Sequence, residues 1–347
     1  MHEETAAAMG RGLAILAELV QGRTFRQRNR LTEERVGSMK QKFALFVCIV
    51  AVVLLVNMVG KDQWSRVWGH VKVQTNDRQF AMNEIRGEAA ILMDQRTGKV
   101  LFYKNDKERM YPASTTKILT ALLALELGDL DEMVQVGEEA VPHPGESRAG
   151  LVPGQQFKLI DLLHALMLPS GNDAARTIAI HIAGKVSGRE DMEPDEAIDY
   201  FAQLMNKRAK QAGAKQSHFV NPHGLHDENH YTTARDLMMI ASEAIKNEQF
   251  RKIVNTGQYT AYSKGRSHAD TLSFTNTNQL LQRNSGYYFE GADGIKTGFT
   301  DQAGYCLVSS ATRYNAGLIA IVLKSTNDEV WRDSNHLLEY GFKALSQ

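Results

Sequence analysis

Residues 293–325 read "DGIKTGFTDQAGYCLVSSATRYNAGLIAIVLKS", in which three apolar-rich segments, "GIKTGFT", "GYCLVSSAT" and "GLIAIVLKS", are separated by short turns containing Gly or Asn. Such runs joined by tight turns predict three consecutive antiparallel strands. A second strand signal lies far upstream. Residues 88–104 read as a hairpin, "EAAILMDQ" and "KVLFYK", with its turn at Arg96-Thr97-Gly98. Between the two, from about residue 113 to 250, the pattern is mostly helical, broken by the loops "PHPGESRAGLVPG" and "NPHGLHDENHY". An amphipathic helix over about 329–345 closes the chain. Strands at both ends of a helical middle predict an α+β fold, an antiparallel sheet flanked by helices with a helical subdomain inserted.

The chain has 347 residues, 43% hydrophobic and 23% charged, with 40 basic and 40 acidic residues. That is a globular composition with no basic excess, so no nucleic-acid partner is expected. With only two cysteines, Cys48 in an apolar run and Cys306 in an expected strand, a disulfide framework is excluded. Residues 43–59, "FALFVCIVAVVLLVNMV", carry no charge over 17 positions and predict one transmembrane helix. Seven Lys or Arg in residues 23–42 face four in residues 61–80. This bias places the N-terminus in the cytoplasm and the remainder outside the cell membrane, a single-pass topology. "GKDQWSRVW" after the run lacks a small-x-small cleavage site, which argues for an uncleaved anchor. The expected organisation is a cytoplasmic segment (1–42), an anchor (43–59), a stalk (60–86) and a folded domain (87–347).

Chemistry enters at residues 111–128, "YPASTTKILTALLALELG", where the expected first helical turn carries Ser114 and Lys117. Positions i and i+3 share a helix face, so the amine can reach the hydroxyl. The positive end of the helix dipole disfavours a charged lysine, and a general base must be neutral. The same dipole favours an anion formed on an acyl group attacked by Ser114. In "LMLPSGNDAA", Pro169 ends one helix and Ser170 and Asn172 occupy a rigid turn, with Asn172 or Asp173 a candidate N-cap of the next. In "DGIKTGFT", Lys296 and Thr297 precede Gly298, and a glycine inside a strand marks close approach of a ligand or another backbone.

Taken in order, Ser-x-x-Lys, Ser-x-Asn and Lys-Thr-Gly form the set used by penicillin-binding proteins and class A β-lactamases. The contexts "PASTTKILTALLALE", "AGLVPGQQFKLIDLLHALMLPSGNDAA", "FVNPHGLHDENHYTTARDL" and "DGIKTGFTDQAGYCLVSSA" extend the likeness from about residue 87 to the end. The chain resembles the serine D-alanyl-D-alanine carboxypeptidases, the low-molecular-mass penicillin-binding proteins. The resemblance implies a DD-peptidase/β-lactamase-like fold. It makes Ser114 the nucleophile toward the penultimate D-alanine of peptidoglycan stem peptides, and Lys117 its base. Ser170 would relay a proton to the leaving D-alanine, and Asn172 would hold Lys117 and a substrate amide. Lys296 and Thr297 would bind the terminal carboxylate, with the substrate laid along the strand of Gly298. The backbone N–H groups of Ser114 and Phe299 would form the oxyanion hole. β-Lactams would act as covalent inhibitors, and no metal or cofactor is implied.

Relatives carry an arginine near the end of the following strands that helps hold the substrate carboxylate, where this chain has "VLKST" and Lys324. Some relatives add a C-terminal β-rich domain and amphipathic tail; here the chain ends at Gln347, and the expectation is that the N-terminal helix serves as the anchor. Two rival functions are a β-lactamase and a non-catalytic wall-binding scaffold. The first is disfavoured by Ser-Gly-Asn in place of Ser-Asp-Asn and by Glu193-Pro194 lacking the following asparagine. The second is disfavoured by the complete motif set. His223, His226 and His230 around Asp227 lie in an expected loop whose spacing fits no common zinc pair.

Overall fold

The computed structural model describes residues 84–141, 143–189, 191–264 and 271–346. The proposed anchor at 43–59 and the segment before residue 84 lie outside the described residues. Among the described residues, no helix is long and apolar enough to cross a membrane.

The upstream hairpin forms as β1 (Ala89–Asp94) and β2 (Val100–Lys104), closed by Asp94, whose carboxylate accepts from the Arg96 N–H and the Thr97 hydroxyl. A 3₁₀ turn (Ala113–Thr116) leads into α1 (Lys117–Leu127). The short strands β3 (Met133–Gln135) and β4 (Gln156–Lys158) pair with each other across the "PHPGESRAGLVPG" loop. Next come α2 (Leu159–Met167), α3 (Asn172–Ser187), α4 (Pro194–Gln211), α5 (Ala234–Ala244) and α6 (Glu248–Val254). A hairpin of β5 (Gln258–Tyr262) and β6 (Thr271–Thr275) follows. The three downstream strands are β7 (Ala292–Thr300), β8 (Gly304–Arg313) and β9 (Ala316–Ser325), and α7 (Glu329–Leu345) ends the fold. The two small hairpins are the elements that helical periodicity does not reveal; strands of three to five residues are too short to display a period of two.

The main sheet is antiparallel throughout, in the order β2-β1-β9-β8-β7, so the first and last strand signals of the sequence meet at β1 and β9. Alternation along β9 divides it between two cores. Ile319, Ile321 and Leu323 face the helical side with Ile91, Leu119 and Leu122, whereas Leu318, Ala320 and Val322 face α7 with Trp331, Leu337 and Leu338. Both faces being covered explains why β8 and β9 read as nearly unbroken apolar runs. α1 is buried over its first eight residues and packs against α3, α2, α5 and α4. Its polar N-terminus, with Ser114 and Lys117, is thereby pressed against β7, which the 3₁₀ turn contacts directly.

Asp333 on α7 is fully buried and accepts from the backbone N–H groups of Arg86 (2.9 Å) and Gly87 (2.7 Å) and from the Ser325 hydroxyl (3.3 Å). It fastens the entry of the domain to its last helix. An alanine there leaves buried donors without an acceptor, a loss of about 2–4 kcal/mol. Asp333→Ala is expected to lower the melting temperature by about 5–15 °C, read by calorimetry.

Candidate active site

The three motifs converge on one cleft of about 460 Å³, walled by Ser114, Ser170, Asn172, Thr297, Gly298 and Phe299. Ser114 lies in the 3₁₀ turn and Lys117 is the first residue of α1. The Lys117 side chain is fully buried, with Nζ 2.9 Å from Ser114 Oγ, 2.7 Å from Asn172 Oδ1 and 2.7 Å from the carbonyl oxygen of His223. Two of these oxygens can only accept: the His223 carbonyl, and Asn172 Oδ1, whose amide nitrogen is committed to Glu146 at 3.1 Å. A neutral amine has two N–H groups, and the two acceptors take both. Its lone pair is left facing the Ser114 hydroxyl. Burial first, then the nearby Lys296 cation, holds the Lys117 pKa well below the usual lysine range; Arg176 adds to this, and Asp173 and Glu146 oppose it. The amine is therefore poised to take a proton from Ser114.

Asn172 reaches Lys117 because it does not cap its helix. The expectation that Asn172 or Asp173 is the N-cap of α3 is corrected: Gly171 occupies that position and Asn172 is the first helical residue. The Asp173 carboxylate instead collects the backbone N–H groups of Ala149, Gly150 and Leu151, tying down the loop that carries the cleft residues Gly145, Glu146 and Ser147. Ser170 holds a left-handed conformation (φ +66°) and its buried hydroxyl has no hydrogen-bond partner among the described residues.

On the opposite wall, Lys296 is buried on β7 and donates to its neighbour's Thr297 carbonyl at 2.9 Å. Burial pushes its pKa down to about 7. The Thr297 hydroxyl meets that of Thr277 at 2.8 Å. A Cβ on Gly298 would sit 3.0 Å from the Ser114 nitrogen and 3.1 Å from that of Thr115, so the strand passes against the Ser114 turn where only glycine is comfortable. Phe299 is half-exposed and its ring packs on Tyr305, the centroids 4.4 Å apart.

Lys324 does not join this site. It points to Glu88 (3.0 Å) on the outer side of β9, and β8 separates it from β7. Glu193 is an exposed N-cap of α4 and is not among the cleft residues. Each of the three loop histidines has a structural task. The Nδ1 of His223 accepts from the Leu225 N–H, and His226 packs edge-on against Tyr111. In His230, Nδ1 accepts from the Val220 N–H, so Nε2–H donates to Thr116 Oγ1 at 2.8 Å. Burial drives the His230 pKa down to about 3, keeping the ring neutral in that bridge. Among the described residues no cluster of metal-ligating side chains forms.

The loop at 221–225 is a component that motif reading does not identify. Asn221 Oδ1 accepts from the Gly224 N–H (2.7 Å) and its amide donates to the Leu225 carbonyl (3.0 Å). This turn aims the His223 carbonyl at Lys117, while Thr120 donates to the Pro222 carbonyl at 2.6 Å. Gly224 has φ +87°, and a Cβ there would lie 1.9 Å from the Ala113 carbonyl oxygen. Gly224→Ala must therefore move the loop away from Lys117. Its expected result is a stability loss of at least about 3 kcal/mol, together with slowed acylation of Ser114 by a serine-directed reagent. Gly98→Ala is the control: Gly98 also has positive φ (+70°) but open space around it, so only backbone strain of about 1–2 kcal/mol is expected, with reactivity kept.

The profile of the D-alanyl-D-alanine carboxypeptidase family matches residues 73–327. The chain is 36% identical over 262 residues to D-alanyl-D-alanine carboxypeptidase DacF of Bacillus subtilis, covering 74% of this chain and 62% of the relative. It is 33% identical over 281 residues to DacA of Haemophilus influenzae, covering 78% and 66%. It thus spans less than two thirds of the length of either. The fold is similar to the crystal structure of the Streptomyces K15 DD-transpeptidase, with TM-score 0.69 and 34% identity over 75% of this chain and 98% of that one. Sequence, fold and the meeting of the three motifs agree, and the chain belongs to the peptidase S11 family of D-alanyl-D-alanine carboxypeptidases.

Proposed function

We propose that this protein is a serine D,D-carboxypeptidase that removes the terminal D-alanine from peptidoglycan stem pentapeptides through an acyl-enzyme on Ser114. The observation that carries the reading is the Lys117 amine, buried and 2.9 Å from Ser114 Oγ, with its other two partners acceptors only. Ser114 Oγ attacks the carbonyl of the penultimate D-alanine while Lys117 takes its proton, a step worth about 10²–10⁴ in rate. The N–H groups of Ser114 and Phe299 receive the oxyanion, each contributing roughly 3 kcal/mol in the transition state. As the C–N bond breaks, the proton passes by way of Ser170 to the departing amine. The unpartnered Ser170 hydroxyl supports that role, since it has a free donor and acceptor for the reaction. Water then cleaves the ester with Lys117 again as base. Lys296, Thr297 and Thr277 hold the terminal carboxylate.

β-Lactams would acylate the same serine, and their tethered leaving group would block the water. The exposed position of Glu193 supports this reading over a β-lactamase, which needs a carboxylate at the acyl group. Ser114→Ala is expected to abolish both D-alanine release from an acyl-D-Ala-D-Ala peptide and labelling by a fluorescent penicillin. Labelled wild-type protein should persist for minutes or longer, whether or not Glu193→Gln is present. Labelling of Ser114→Ala, or rapid Glu193-dependent release, would overturn the proposal.

We further propose that residues 43–59 anchor the protein in the cell membrane, with the N-terminus cytoplasmic and the peptidase domain extracytoplasmic. The uncharged run and the basic bias before it support this. External protease on wall-stripped cells should remove the domain and spare an N-terminal tag; loss of the tag would mean the opposite orientation.

A further inference from the structure

Behind Asn172 lies a buried ion pair that the reaction scheme above does not use. Arg176, one turn further along α3, grips Glu146 with both terminal nitrogens, Nη1 to Oε2 at 2.9 Å and Nη2 to Oε1 at 2.8 Å. The two side chains are 7% and 2% exposed. The Arg176 Nε donates to the Glu139 carbonyl at 2.6 Å, and the His143 N–H donates to Glu146 Oε1 at 2.9 Å, so neither partner is free to turn. The remaining contact of Glu146 is with the Asn172 amide nitrogen, 3.1 Å from Oε2.

We propose that Glu146, fixed by Arg176, is a positioning residue that orients the Asn172 amide so that the lone pair of Lys117 is left for Ser114. An amide can sit either way round, and its two ends differ only in donor and acceptor character. A carboxylate held by an arginine accepts only, so it admits Asn172 with the nitrogen toward Glu146 and the oxygen toward Lys117. In the flipped arrangement the Asn172 nitrogen would donate to Lys117, occupy the lone pair, and set two acceptors face to face at Glu146. Burial alone would raise the Glu146 carboxyl, but the hydrogen bonds from Arg176, the His143 backbone and Asn172 hold it at about 2, so the acceptor persists at every working pH.

The pair also acts on Lys117 through charge. The groups facing that amine are Lys296 on β7, Asp173 and Arg176 on α3, Glu146 on its loop, and His223 and His230 before α5. Glu146 favours the cation and Arg176 disfavours it. Acylation requires the neutral amine, so its rate climbs with pH through the Lys117 pKa. Removing Glu146 alone should move this rising limb to lower pH, and removing Arg176 alone to higher pH.

The test is the penicillin acylation rate of the full chain from pH 5 to 10, with melting temperature measured alongside. The double replacement E146M/R176M buries no lone charge and should fold, yet acylate at least about tenfold more slowly at its plateau. E146Q/R176M should recover part of that loss, because a glutamine oxygen can still accept from Asn172. The single variants E146Q and R176M should shift the limb in opposite directions, which a purely structural pair would not do. E146M/R176M labelled at the wild-type rate, or both singles moving the limb the same way, would overturn the proposal. It rests on Ser114 as nucleophile; failure of that reading appears separately, as wild-type protein that penicillin does not label.

Discussion

A primary amine buried without a counterion is the constraint around which this domain is arranged. Among the described residues Lys117 has no carboxylate within hydrogen-bond reach; its partners are a hydroxyl, an amide oxygen and a backbone carbonyl. Three neutral oxygens can match the hydrogen bonds of either form, but burial penalises the cation, whose charge no adjoining carboxylate offsets. Had Glu146 or Asp173 stood where Asn172 Oδ1 stands, the amine would stay protonated and could not serve as a base. Both acids are close, and both are turned to other work, Glu146 to Arg176 and Asp173 to the N–H groups of Ala149, Gly150 and Leu151. Negative charge is admitted near Lys117 only when already committed elsewhere.

That arrangement draws on parts of the chain that are distant in sequence. Ser114 comes from the 3₁₀ turn before α1, Lys117 from the start of α1, Asn172 from α3, the His223 carbonyl from the loop before α5, and Lys296 from β7. Bringing backbone so close to the Ser114 turn requires glycine twice: Gly298 on one side, against the Ser114 and Thr115 nitrogens, and Gly224 on the other, against the Ala113 carbonyl. The turn is gripped between strand and loop, while the apolar face of α1 is locked into the core by Ile118, Leu119 and Leu122. Packing thus supplies the precision that a proton transfer over one hydrogen bond demands.

How much of this can be read without the structure follows from the type of interaction. The strands β7, β8 and β9 and the hairpin β1–β2 are legible because their apolar runs and the turns between them are local signals. Ser114 and Lys117 are legible because a spacing of three residues has one meaning on a helix, and Gly298 because a glycine in a strand interior needs a reason. The His223 carbonyl is not legible, since a backbone acceptor carries no residue type; the only trace is the Asn221–Gly224 turn that aims it. The Glu146–Arg176 pair is separated by 30 positions and leaves no pattern at all. Asn172 misleads in the opposite direction: asparagine before an alanine-rich helix is a good cap, and only the tertiary contact with Lys117 overrides that preference. Lys324 misleads because proximity along β9 says nothing about which strand edge faces the cleft.

The two buried lysines make opposite demands on the same electrostatic field. On the proposed reaction, Lys117 has to be neutral and Lys296 has to be a cation, yet burial lowers both, Lys296 to about 7. On Lys117 burial acts first and the Lys296 charge second, so a cation kept at Lys296 favours the neutral amine at Lys117. A substrate carboxylate arriving at Lys296 then changes both groups together. It stabilises the Lys296 cation, and by neutralising that charge it makes Lys117 a stronger base than in the empty cleft. On that scheme the base would gain strength while a D-alanine carboxylate is in place and lose it when the released D-alanine carries the carboxylate away. Recognition of the terminal carboxylate and activation of Ser114 would then be two effects of one charge.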